Sequence, residues 1–167
     1  MTIEEFNQLH VGSKKELLQK CCGSSSWIDK MLAAWPFENL SQMLKAAEVN
    51  WYACNEQDWL EAFQHHPKIG DINSLKEKYA STAAWASNEQ SGVNAASNKI
   101  LEELSAGNDV YENKFGYIFI VCATGKSAAE MLEILNSRLP HNSEEEIKIA
   151  AEEQNKITKV RLAKLFV

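Results

Sequence analysis

At 167 residues the chain has the size of one domain, and no internal repeat, low-complexity tract or Pro/Gly-rich linker divides it. With 45% hydrophobic against 24% charged residues it matches neither disorder nor a membrane protein, because the longest apolar run, Tyr117 to Ala123, is far short of the roughly 20 residues a spanning helix needs. A net charge of -6 with dispersed acidic residues leaves nothing to drive counterion release from DNA or RNA.

Residues 1–167 are therefore expected to form a single domain. The acidic opening Met1-Thr2-Ile3-Glu4-Glu5 is unlike a signal peptide, and the closing Lys164-Leu165-Phe166-Val167 carries no Ser-Lys-Leu address, so the expected location is cytoplasmic. Four cysteines, Cys21, Cys22, Cys54 and Cys122, form no Cys-x-x-Cys pair and are expected to be reduced.

In chain order, Thr2 with Glu5 and Ser13 with Glu16 fit the pattern in which two side chains three residues apart satisfy the free amides of a helix start. The stripe Leu17-Leu18-Cys21-Cys22 follows, with Gly23 as a stop. Ile28-Met31-Leu32-Trp35 repeats the helical spacing up to Pro36, which either ends or kinks its segment. Asn55 with Asp58 opens the next helix, carrying Trp59-Leu60-Phe63. It must end by Pro67, whose ring disfavours helical geometry at the residue before it. Ser127 with Glu130 precedes Met131-Leu132-Leu135-Leu139 and the stop Pro140. Ser143 with Glu146 opens the last helix.

The fold class read from this pattern is all-α, a compact multi-helix bundle. The exception is residues 117–123. Tyr117-Ile118-Phe119-Ile120-Val121-Cys122 is β-branched and aromatic, yet a lone strand has no partner. An irregular, extended passage bounded by Gly116 and Gly125 is expected, and its backbone groups, needing partners, make it a candidate ligand-binding wall.

Three constellations bear on chemistry. In His65-His66-Pro67-Lys68-Ile69-Gly70-Asp71, His66 stands at a helix terminus beside a rigid turn. Both a capping role and proton transfer near neutral pH fit it. The cluster Ala86-Ser87-Asn88-Glu89-Gln90 sets a carboxylate beside a carboxamide, either as a solvated helix end or as part of a site. On the last helix Ala150, Gln154, Ile157, Arg161 and Leu165 share one face. Gln154 and Arg161 must therefore bond to other elements or line the site. No metal site is expected, because adjacent histidines seldom point at one ion and no His-x-x-x-His spacing occurs.

The ordered set His66-Pro67-Lys68-Ile69-Gly70, Glu89-Gln90, Lys114-Phe115-Gly116-Tyr117-Ile118-Phe119-Ile120, Arg138-Leu139 and Glu153-Gln154-Asn155-Lys156-Ile157 to Arg161-Leu162 resembles the 2-oxo-4-hydroxy-4-carboxy-5-ureidoimidazoline (OHCU) decarboxylases of urate degradation. The resemblance spans nearly the whole chain. It implies an all-helical homodimer that uses no cofactor and converts a small ureidoimidazoline acid into (S)-allantoin. It also implies that His66 and Glu89 form the catalytic pair. Pro67, Gln90 and Phe119, Ile120, Val121, Cys122 and Ala123 match substrate-contacting positions, and Ala86, Ser87, Asn88 and Arg161 join them as expected contacts. Lys114 stands where Arg is commoner, and Ala86 where Ser often precedes the Glu by three.

Two other readings stand beside this one. A helical interaction module would present a Trp-rich surface from Trp27, Trp35, Trp51, Trp59 and Trp85, without catalysis; the same scaffold could also act on a different ureido acid. Burial of the tryptophans discriminates against the module.

Overall fold

The computed structural model describes residues 1–66, 73 and 91–167, the side chains of 91–96 excepted. Among the described residues there are eight helices and no strand, so the all-α expectation holds. The chain divides into two compact units, one comprising Met1–His66, Ile120–Cys122 and Ile147–Val167, the other Pro67–Phe119 and Ala123–Glu146.

The first unit begins with α1 (Ile3–Gln8), whose start is the expected reciprocal cap of Thr2 and Glu5. Its Asn7 holds the backbone of Phe37 through both amide atoms, at 2.7 and 3.2 Å. Helix α2 (Val11–Cys21) starts earlier than Ser13 suggests. The His10 ring accepts from the Gly12 amide, so the backbone is already helical at Val11 and Ser13 sits inside the first turn. One turn on, Lys14 is 2% exposed and packs its ammonium 3.6 Å from the centre of the Trp35 ring.

Helix α3 (Ser25–Ala33) is capped by Ser24, and the Glu61 carboxylate accepts from the Ser25 amide and hydroxyl. It ends before the cis Trp35–Pro36 bond, so Pro36 follows a finished helix and kinks nothing. Asn39 caps α4 (Leu40–Tyr52), and the expected Asn55–Asp58 pair caps α5 (Glu56–Gln64).

The core of this unit is aromatic. Trp27 and Trp51 are 0% and 1% exposed, and each buried indole N–H has a carbonyl partner, Ala47 at 3.0 Å and Ala151 at 2.8 Å. Burying one such ring contributes about 1.5–3 kcal/mol. Trp59 is half-buried and donates to the Trp51 carbonyl. Of the described tryptophans Trp35 alone is exposed, at 40%, and its face is taken by Lys14. A tryptophan-presenting surface is therefore not what these residues build; Trp85 lies outside the described residues.

The second unit holds α6 (Ser91–Phe115) and α7 (Ala128–Arg138), which approach closely at Gly107; a Cβ there would meet Leu135 Cδ2 at 2.5 Å. Ser127 and Glu130 cap α7 as expected. Residues 117–123 run without regular structure, bounded by Gly116 and Gly125 at φ 84 and 74, left-handed values that glycine adopts without strain.

Helix α8 (Ser143–Leu165) starts one residue away from the expected register. Asn142 and Glu145 exchange the capping hydrogen bonds, because Glu146, the expected partner of Ser143, is buried. Its carboxylate accepts from Arg138 Nε at 2.6 Å, from the Tyr111 hydroxyl at 2.5 Å and from His141 Nδ1 at 3.0 Å. An acid needed by a buried guanidinium is not available to cap a helix.

Candidate active site

His66 is set by the end of α5. The amides of His65 and His66 bond back to Ala62 and Phe63, at 3.2 and 3.3 Å, tightening the last turn. Its Nε2 meets the Oε1 of Gln154. Gln154 is fully buried on α8 and donates through Nε2 to the Thr158 hydroxyl at 3.1 Å. A buried carboxamide has to satisfy both ends, and here one end is used on the histidine.

His66 lines a cleft of about 270 Å³ together with His65, Ala62, Gly23 and Arg161, and with Gln19 and Lys20 from the end of α2. That volume is near the lower end of the roughly 300–1,000 Å³ found for small-molecule sites, and suits a small ligand. No carboxylate is among the described lining residues, whereas Lys20 and Arg161 are cationic, so the cleft suits an anion. Gly23 is required for the wall, since a Cβ there would fall within 3.0 Å of three side-chain atoms of His65.

Burial pushes the His66 pKa below its usual 6.5. The Gln154 hydrogen bond opposes this, while the nearby charges of Arg161 and His65 add to it. The balance of these effects favours the neutral imidazole. Burial acts the other way on the neighbouring thiols, pushing Cys21 up to about 11 and Cys22 up to about 12. All four cysteines are buried thiols, as expected for reduced structural residues.

Arg161 combines the two roles left open by its position on the shared face. It lines the cleft and donates to the Cys21 carbonyl at 3.4 Å, at the end of α2. The residue before Gln154 ties down a second element, because Glu153 Oε2 accepts from the Cys122 amide at 3.2 Å. The extended passage thereby gains one of the backbone partners it requires.

The expected site residues divide accordingly. His66 and Arg161 come together in the cleft. Ile120 and Cys122 are buried in the same unit at 2% and 9% exposure, with Val121 half-buried between them. Phe119 belongs to the other unit, edge-on to Tyr111 at 5.2 Å and with Arg138 4.7 Å from its ring centre; Ala123 is half-buried there. None of residues 119–123 is among the described lining of the His66 cleft. Pro67, Ala86, Ser87, Asn88, Glu89 and Gln90 lie outside the described residues, as does Asp71. Among the described residues no three His, Cys, Asp or Glu side chains gather as a metal site, and no helix is long and apolar enough to cross a membrane.

Sequence reasoning did not single out Gln19, Lys20 or Ala62, and nothing in their local pattern marks them. Gly23 entered only as a helix stop, and its contact with His65 is a second constraint at the same position.

A family model described as OHCU decarboxylase matches residues 7–163. The chain is 38% identical over 146 residues to the uric acid degradation bifunctional protein TTL of Arabidopsis thaliana, covering 87% of this chain and 45% of that protein. It is 24% identical over 168 residues to the 2-oxo-4-hydroxy-4-carboxy-5-ureidoimidazoline decarboxylase of Halalkalicoccus jeotgali, covering 100% and 93% of the two. The chain thus spans under half of the bifunctional relative and nearly all of the Halalkalicoccus one. A crystal structure of OHCU decarboxylase in the presence of (S)-allantoin superposes with a TM-score of 0.69 at 37% identity, over 89% of this chain and 95% of that one. A helical fold with a histidine at the wall of a small cationic cleft and a match along almost its whole length show that this chain belongs to the OHCU decarboxylase family of enzymes.

Proposed function

We propose that the chain is a carboxy-lyase that converts 2-oxo-4-hydroxy-4-carboxy-5-ureidoimidazoline to (S)-allantoin in urate degradation, with His66 and Glu89 as its acid-base and orienting pair. The observation that carries the reading is the cleft itself: a half-buried histidine facing a small cavity lined by Lys20 and Arg161 and by no described carboxylate. A small organic anion suits those cations, and its own charge raises the proton affinity of the histidine beside it.

The chemistry asks little more of the protein. As the bond to the carboxylate carbon breaks, its electron pair enters the conjugated carbon-nitrogen system of the ring. Carbon dioxide leaves and one proton completes the new C–H bond. Holding the leaving carboxylate in one orientation and delivering that proton to a single face makes the product one enantiomer. His66 supplies the proton. Glu89 binds ureido or ring N–H groups, and Pro67, Ala86, Ser87, Asn88, Gln90, Arg161 and the 119–123 passage complete the contacts. The single family match over 7–163 supports treating residues 1–167 as one domain. The resemblance adds a homodimer, which light scattering of the purified protein tests.

The direct test is circular dichroism of substrate generated fresh from urate by urate oxidase and hydroxyisourate hydrolase. Wild-type protein should give optically active allantoin rapidly, and a folded His66→Asn variant should be slower by about a hundredfold or more, the usual range for losing an acid-base group. Slow decay to racemic product with folded wild-type protein would discard the decarboxylation.

A further inference from the structure

We propose that Gln154 is a positioning residue that fixes the ring of His66 with its proton on Nε2, so that Nδ1 is the atom that exchanges a proton with substrate. The proposal rests on the proton-transfer role given to His66 above.

The direction of the hydrogen bonds follows from the far end of the chain of groups. A carboxamide nitrogen only donates, so the Thr158 hydroxyl oxygen accepts the Gln154 Nε2 amide proton at 3.1 Å. A carboxamide whose nitrogen is turned to Thr158 presents its oxygen to the other side, where it meets His66 Nε2. A carbonyl oxygen only accepts, so Nε2 carries the proton and the lone pair of the neutral imidazole resides on Nδ1. Thr158 is 3% exposed and Gln154 0%, so water does not compete for these bonds.

A neutral carboxamide here, where a carboxylate would also fit, keeps the histidine from being held as a cation. Among the described residues, the charged and titratable groups facing it are Arg161 from α8 and His65 from its own segment, with Lys20 from α2 in the same cleft. All of these are cationic or neutral, so an arriving anion favours proton uptake. When the new C–H bond forms, the proton leaves Nδ1 and the ring returns to the neutral form already bonded to Gln154. The imidazole neither rotates nor changes partner during the step.

The first test needs no activity. The chain has four histidines, and the His66 signals of ¹⁵N-histidine-labelled protein are identified by their loss in His66→Asn. Above its titration His66 should show a single tautomer with the proton on Nε2, in slow exchange with water. A proton on Nδ1 would overturn the proposal. In Gln154→Glu, the acceptor is kept but becomes negative. The His66 titration and the limb of kcat/KM on which activity falls with rising pH should both move up by about one pH unit or more; an unmoved titration overturns it. In Gln154→Leu the slowly exchanging Nε2 proton should disappear and kcat fall about tenfold or more, with KM changed far less. Wild-type kcat and an intact Nε2 signal in that variant also overturn it. If Gln154→Leu does not fold, the tautomer and the Gln154→Glu titration decide alone. Absence of any decarboxylation by the wild type sinks the functional reading and leaves the tautomer result standing.

Discussion

Each of the two units buries a polar network, and the two are built on opposite principles. Around Glu146 every partner is a charge or a strong donor: Arg138 through two nitrogens at 2.6 and 2.5 Å, the Tyr111 hydroxyl, and His141. Burial raises the Tyr111 pKa, keeping its hydroxyl protonated and donating. Around His66 the described hydrogen-bonded groups are a carboxamide and a hydroxyl, and burial favours the neutral ring. A carboxylate buried among these donors is committed to its own network. An imidazole engaged at one nitrogen and set in a cleft wall retains the other for chemistry. Both networks limit motion; the second also sets a titratable ring at the wall of a cleft.

Substitutions should separate the two roles. The largest effect on folding is expected from Glu146→Ala, which leaves the Arg138 guanidinium buried without its carboxylate. Removing one partner of such a pair costs about 3–5 kcal/mol, so urea denaturation should show a large fall in midpoint. A fall of under about 1 kcal/mol would mean that the network is wetter than its 0% and 4% exposures imply.

His66→Asn should behave in the reverse way, losing about a hundredfold or more in rate while its denaturation midpoint stays close to wild type. A variant that unfolded but kept its rate per folded molecule would invert the comparison.

Smaller effects sharpen it. The folded pKa of His66 lies below 6.5, so as pH falls through 6.5 the unfolded chain takes up a proton that the folded chain refuses. Stability contributed by neutral His66 is complete above 6.5 and is lost as pH falls through the folded pKa. His66→Asn should therefore lose less stability than wild type on acidification, and the limb of wild-type kcat/KM on which activity falls as pH rises and the donor proton is lost should lie below 6.5. A limb at or above 6.5 would place the controlling group elsewhere.

The smallest effect concerns the start of α8. Asn142→Ala should cost about 1 kcal/mol, the usual value of a helix cap, and Ser143→Ala only a few tenths. The opposite order would restore Ser143 to the cap.

These expectations follow the line between what was legible in the residues and what was not. Thr2–Glu5, Asn55–Asp58 and Ser127–Glu130 were readable because a cap closes within one turn and needs nothing from the rest of the chain. The break at residues 117–123 was readable for the same local reason, since β-branched and aromatic residues between two glycines resist a helix and have no strand to join. His66 at a helix end and the shared face of Gln154 and Arg161 could also be seen, and the family resemblance joined them to one reaction.

The sequence determined the helices, the irregular passage and the identity of the residues suited to chemistry, because each depends on neighbours a few positions away. Only the tertiary structure decided what those residues do. Gln154 holds His66 across 88 positions of sequence, Glu153 holds Cys122 across 31, and Glu146 leaves its expected cap for a buried arginine. A buried polar atom takes whichever partner the packing sets within reach, and local pattern carries no record of that choice.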